Sequence, residues 1–167
     1  MPSVCVSLPR SIVERLKKEA GKLGVSLEEY IVDRLLKRDE PAARAAGYME
    51  ASREALRRAR EALASGDLNG ASARLWSAAV LAVKAYAASR GESPSLSDGG
   101  LWRYPRLLAR ELGDWVGDSW AHAVAMSVCS HEHTCSSWHV ERALEGVERL
   151  VEGVARVIGV ESGNNRE

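Results

Sequence analysis

Between positions 129 and 139 stand five side chains able to hold a metal or make a covalent link: Cys129, His131, His133, Cys135 and His139. Thiolates and imidazoles are zinc ligands, and four could be drawn from these five. Their spacing follows no standard zinc pattern, however, so we assign no metal and no cofactor. Cys129 and Cys135 are six residues apart across an expected helix–helix turn, which can bring their Cα atoms within the roughly 4.4–6.8 Å that a disulfide needs. Two partly buried free thiols are the alternative. Lys84 is the second candidate, a lone cation inside an otherwise apolar stretch. Buried, it could bind a phosphate or serve as a base; the plainer reading lays its stem along apolar surface with the ammonium on a carboxylate. Trp76 leads a set of five tryptophans with Trp102, Trp115, Trp120 and Trp138, which could stack on a nucleobase or simply fill a core. Arg53, Arg57, Arg58 and Arg60 interleave with Glu50, Glu54 and Glu61, the pattern of a solvated, ion-paired helix face. No Gly-rich phosphate loop, Gly-x-Ser-x-Gly or His-Glu-x-x-His motif occurs. We identify no catalytic residue.

The bulk chemistry narrows the classes. The chain has 167 residues with 23 basic and 23 acidic side chains, so no global field draws it to nucleic acid or anionic lipid. The longest apolar run, residues 78–83, is far too short for a membrane span. The start lacks the basic and apolar regions of a signal peptide. We therefore expect a cytoplasmic protein.

The elements that must position these residues are mainly helical. Residues 3–8 alternate, with Ser3, Cys5 and Ser7 on one face and Val4, Val6 and Leu8 on the other, which predicts a short strand ended by Pro9. Ile12, Val13, Leu16, Ala20 and Leu23 predict an amphipathic helix over residues 11–23, stopped by Gly24. Ser26 with Glu29 forms a capping box opening a second helix that runs to about Arg38. A six-residue strand has no partner inside this module, and unpaired backbone groups are costly, so the expectation is a homodimer through the N-terminal strand. Residues 39–41 mark a boundary. Helices are then expected over 42–64, 68–90, 102–112, 114–129 and 137–160, the second of these central because it is apolar almost all round. The polar residues 161–167 read as a disordered tail.

Two resemblances follow from these residues. Val4-Cys5-Val6-Ser7-Leu8-Pro9, the helix after it and Gly24-Val25-Ser26 opening a second helix resemble the ribbon-helix-helix family of transcription factors and antitoxins, over about the first 38 residues. That resemblance implies paired strands in the major groove of double-stranded DNA, with Ser3, Cys5 and Ser7 toward the bases and Val25 and Ser26 holding a phosphate at a helix N-terminus. Ala71-Ser72-Ala73-Arg74-Leu75-Trp76-Ser77-Ala78-Ala79, then Ala82-Val83-Lys84-Ala85-Tyr86-Ala87, followed by Trp102, Trp115, Trp120 and the Cys129–Cys135 segment, is similar to the archaeal PaREP family, helical proteins related to the HEPN superfamily, over about residues 45–155. It implies a dimeric bundle of four or five helices, and with the heat-adapted proteins of that group a disulfide is chemically reasonable. HEPN ribonucleases carry an Arg with a His five to seven residues later; no Arg precedes His122, His131, His133 or His139 at that distance.

The sequence thus predicts a mainly α fold: a ribbon-helix-helix-like module over residues 1–40 and a HEPN-like bundle over residues 41–160. Two functions compete. One is a non-enzymatic, DNA-associated regulator or antitoxin-like homodimer whose bundle binds a partner or ligand, with Lys84 and Trp76 as candidate ligand residues. The alternative is an RNA- or nucleotide-binding HEPN protein, a degenerate ribonuclease, that uses the N-terminal module only to dimerise.

Overall fold

Local punctuation sets the helices. The computed structural model describes residues 4–94 and 99–160. Helix α1 spans Arg10–Leu23 and closes on Gly24, whose φ of 68° lies in the left-handed region that glycine enters without a Cβ penalty. Helix α2, Leu27–Leu36, opens on Ser26 with both halves of the capping box made: Ser26 Oγ accepts from the Glu29 N–H at 3.1 Å, and the Glu29 carboxylate accepts from the Ser26 N–H at 3.5 Å. Pro41 starts α3, Pro41–Ala64, where its missing N–H costs nothing. Asp67 caps α4, Leu68–Ser89, by accepting from the Gly70 N–H at 2.8 Å. Position 70 must be glycine for this cap, since a Cβ there would lie 2.1 Å from Asp67 Oδ2. A 3-10 turn over Gly100–Trp102 leads into α5, Arg103–Leu112; α6 is Trp115–Glu132 and α7 is Ser137–Ile158.

The expected N-terminal strand is not there. Among the described residues no strand occurs; residues 4–9 have no regular structure, and Val4 and Val6 are 84% and 78% exposed. Ser3 lies outside the described residues, as does the expected tail. The physical reason is that alternation reports only a local preference, whereas a strand exists by virtue of its ladder, and nothing in this chain lies alongside residues 4–9 to complete one. The fold is therefore all-helical, and the strand-plus-two-helices module is replaced by a plain α1–α2 hairpin.

Helix α4 is the axis. Its residues from Ala78 to Ala88 are all buried, and it packs against α3, α6 and α7. Alanines at 78, 79, 82, 85, 87 and 88 let neighbouring helices approach closely, while Leu75, Val80, Val83 and Tyr86 fill the gaps. Ser52 of α3 donates to the Ala78 carbonyl at 2.7 Å, a buried link between α3 and α4. Tyr86 donates to Glu111 of α5, and burial together with that carboxylate pushes its phenol up to about 12. The interleaved charges of α3 do pair: Glu54 receives Arg57 and Arg58, hydrogen bonds that hold its carboxyl down at about 2.

Cys129 and Cys135 are joined by a disulfide across the α6–α7 turn, with Cα atoms 5.3 Å apart. Closing so short a loop stabilises by about 2 kcal/mol through the unfolded chain. Reduction, or Cys135→Ser, should lower the melting temperature by about 5 °C at this chain length. Calorimetry with and without reductant measures this, and equal melting points would show that the crosslink adds nothing.

Candidate functional site

The N-terminal hairpin is fastened to the bundle by charge. Glu29 and Asp33 lie one turn apart on α2 and meet Lys84 of α4: Lys84 Nζ donates to Asp33 Oδ2 at 2.7 Å and stands 3.7 Å from Glu29 Oε1. Tyr48 of α3 donates to the other Asp33 oxygen at 2.8 Å, and Lys84 lies 6.0 Å from the Tyr48 ring centroid. Lys84 and Glu29 are almost wholly buried, while Asp33 is about a third exposed. Burial pushes the Glu29 carboxyl up, with Lys84 pulling against it and Asp33 adding to the rise. Burial and the neighbouring Asp33 also raise the Tyr48 phenol. Of the two sequence readings of Lys84, the structure has the plainer geometry: stem in the core, ammonium on carboxylates.

Beside this cluster a cavity of about 350 Å³ opens between α2, α3 and α4. Ala51 and Ala55 of α3 face Gly70, Ala73 and Ser77 of α4, and small residues on two facing helices leave a slot where larger ones would interlock. Val32, Leu81 and the buried Glu29 also line it. Arg58 and Arg74 stand in its wall. Glu54 holds Arg58, whereas Arg74 makes no hydrogen bond or ion pair among the described residues. Lys84 does not line the cavity; Leu81 and Ser77, on the preceding turns of α4, do. A mostly apolar pocket with a few placed polar groups is the usual form of a small-molecule site.

The other sequence candidates sit elsewhere. Trp76 packs on Trp120 with centroids 5.4 Å apart, and Trp102 meets Trp120 edge-on at 5.6 Å. Trp76 and Trp120 belong to the α4–α6 contact and Trp102 to the 3-10 turn beside it; none of the three lines the cavity. Ser26 lines the cavity, but its N–H is already taken by Glu29, and Glu28 and Glu29 put two negative charges in the first turn of α2. Such an end repels a phosphate. Val25 adjoins it, and Cys5 is an exposed free thiol in the irregular segment; Ser7 is exposed beside it, and neither is held by a ladder. The histidines of the Cys-His segment turn to local partners: His131 Nδ1 lies 2.7 Å from the Ser127 carbonyl, and His139 Nδ1 2.8 Å from Ser136 Oγ. Among the described residues no three His, Cys, Asp or Glu side chains are grouped to hold a metal ion.

Sequence reasoning missed Glu29 as more than a capping residue, read Arg58 only as part of a solvated face, gave Arg74 no role and did not single out Asp33. The one available signal was two acids a turn apart in a helix with an apolar face; their partner lies in another helix, and no local pattern names it.

Fold and site together define a class: an all-helical bundle with a ligand-sized slot beside its central helix and no helix, among the described residues, long and apolar enough to cross a membrane. The sequence profile of the archaeal PaREP1/PaREP8 family matches residues 47–151, and the chain belongs to that family. No curated protein and no solved structure matches it.

Proposed function

We propose that the chain is a nucleotide-binding helical bundle of the HEPN kind that acts by binding and does not cleave RNA. The observation that carries this is the slot: about 350 Å³, lined in part by Ala51, Ala55 and Ala73, with Arg74 uncommitted beside it. Apolar walls suit the faces of a base, and an arginine without a carboxylate suits an anionic group such as a single phosphate. Glu28, Glu29 and Glu54 against Arg58 and Arg74 make the lining slightly acidic, which favours a monophosphate or nucleoside over a triphosphate. The absence of an Arg followed five to seven residues later by any of the four histidines removes the HEPN cleavage motif. The DNA-regulator reading requires residues 3–8 to pair as strands between two copies; in the single chain residues 4–9 have no regular structure, and the nucleotide reading does not need them.

Titration calorimetry against the four nucleoside 5′-monophosphates tests it. At least one should bind, and Arg74→Ala should weaken binding about tenfold, near 1.4 kcal/mol, with the melting temperature unchanged, since Arg74 has no partner to lose. Failure of all four to bind at millimolar concentration would sink the reading.

A further inference from the structure

We infer that the outer side of α1 docks a second copy of this chain, with the two α1 helices antiparallel across a two-fold axis. The inference stands apart from the nucleotide reading and needs no strand at residues 4–9. Helix α1 has 14 residues, a length at which a helix is marginal without tertiary support. Ala20 is its only buried residue. Val32 and Leu36 of α2 pack on the core of the bundle, and among the described residues no apolar side chain before Val32 does. Ile12 and Leu23 lie on one side of α1, three turns apart, and are 39% and 43% exposed. Six of the nine large apolar side chains exposed among the described residues precede position 36: these two with Val4, Val6, Leu8 and Leu35. Apolar surface gathered on the one part of the chain that has no core marks an interface.

Charge selects the occupant. Residues 4–40 carry eight basic and seven acidic side chains, too even a balance to draw in an anionic membrane or a nucleic-acid backbone. The exposed side of α1 is instead complementary to itself. Residues 12, 16, 19 and 23 share that side by helical spacing. Turning a second α1 end for end about a centre between Lys17 and Lys18 sets Ile12 on Leu23 of the second copy, and Leu16 beside Glu19 of the second copy. Arg15, next to Leu16, then reaches that Glu19. Arg15 makes no hydrogen bond or ion pair among the described residues, and Glu19 pairs with Lys22 of its own helix. The two-fold axis makes the Arg15–Glu19 pair twice. Side by side, α1 and α2 present a face roughly 20 Å by 20 Å, about 400 Å² a copy. With Val4, Val6 and Leu8 the two copies together reach the about 1,000 Å² that a specific interface needs, at its lower end, so the dimer should dissociate at micromolar concentration.

Sedimentation equilibrium of the full chain, from low micromolar to about 100 µM, reads the assembly. The unmodified chain should form a dimer. Ile12→Glu should weaken it by about tenfold or more, because it sets a charge against Leu23. Arg15→Glu should weaken it to a similar degree, and adding Glu19→Arg should restore it, since both partners of each pair are then reversed. Far-UV circular dichroism should be the same for all these variants, as neither Ile12, Arg15 nor Glu19 joins the core of the single chain. The charge reversal decides the matter even if Ile12→Glu disturbs α1. A chain that stays monomeric at about 100 µM overturns the inference, and so does a dimer indifferent to both Ile12→Glu and Arg15→Glu. A double reversal that remains as weak as Arg15→Glu alone overturns the antiparallel arrangement. A monomer that sediments with phosphatidylserine vesicles assigns the face to lipid instead.

Discussion

Lys84→Ala should lower the stability of the chain by about 3 kcal/mol, a fall in melting temperature of about 6–12 °C at this length. The substitution leaves Glu29 and Asp33 facing no cation. Asp33, about a third exposed and still bonded to Tyr48, can rehydrate. Glu29 cannot; it must take up a proton, which its raised proton affinity already favours, or drag α2 off the bundle. The cost is therefore largest at neutral and alkaline pH, where the carboxyl would have to stay ionised without Lys84, and it shrinks as pH falls and the group is protonated. Adding Glu29→Gln to Lys84→Ala should restore about half of the loss, because the buried charge is gone while the capping geometry survives. Thermal melts at pH 5 and pH 8 measure both effects. A single variant within about 0.5 kcal/mol of the parent would show that the hairpin is held by something other than this cluster.

Leu75→Ala should cost about 3 kcal/mol, whereas Leu35→Ala should change stability by less than about 0.5 kcal/mol. Leu75 is 1% exposed in the central helix, and its removal leaves a cavity among side chains that cannot collapse into it. Leu35 lies on α2 and is 71% exposed. Both belong to the apolar stripes from which the helices are recognised, so the pair separates what periodicity detects from what packing uses. Urea titration of the two variants reports the difference; similar losses would mean that the hairpin carries its own core.

That contrast also explains where the sequence spoke and where it was silent. Gly24, the Ser26–Glu29 capping box, Pro41 and Asp67 mark helix ends through interactions within four residues, so α1 to α4 are legible almost to the residue. Gly113 does the same for α5, whereas Gly159 ends α7 at Ile158, short of the expected residue 160. Helix α6 runs past Cys129 to Glu132 because His133 takes the left-handed position, with φ of 54°, that glycine or asparagine normally announces. The strand was misread for the opposite reason: Val4, Val6 and Leu8 have the right period, but strand formation is decided by a non-local partner. Lys84 was conspicuous as an ion in an apolar helix, yet Asp33, which holds it, is 51 positions away. Arg74 carries no mark in the sequence that separates it from the other arginines; only its lack of a neighbour does so.

The helix that supplies Glu29 begins at Leu27 and ends at Leu36, whereas the segment shared with the family begins at residue 47. One wall of the slot thus lies outside the matched segment, joined to the bundle by the Lys84 ion pairs, the Tyr48–Asp33 hydrogen bond and the packing of Val32 and Leu36. On the proposed reading, replacing the helix before the matched segment changes one wall of the cleft while Ala51, Ala55, Ala73 and Arg74 stay in place.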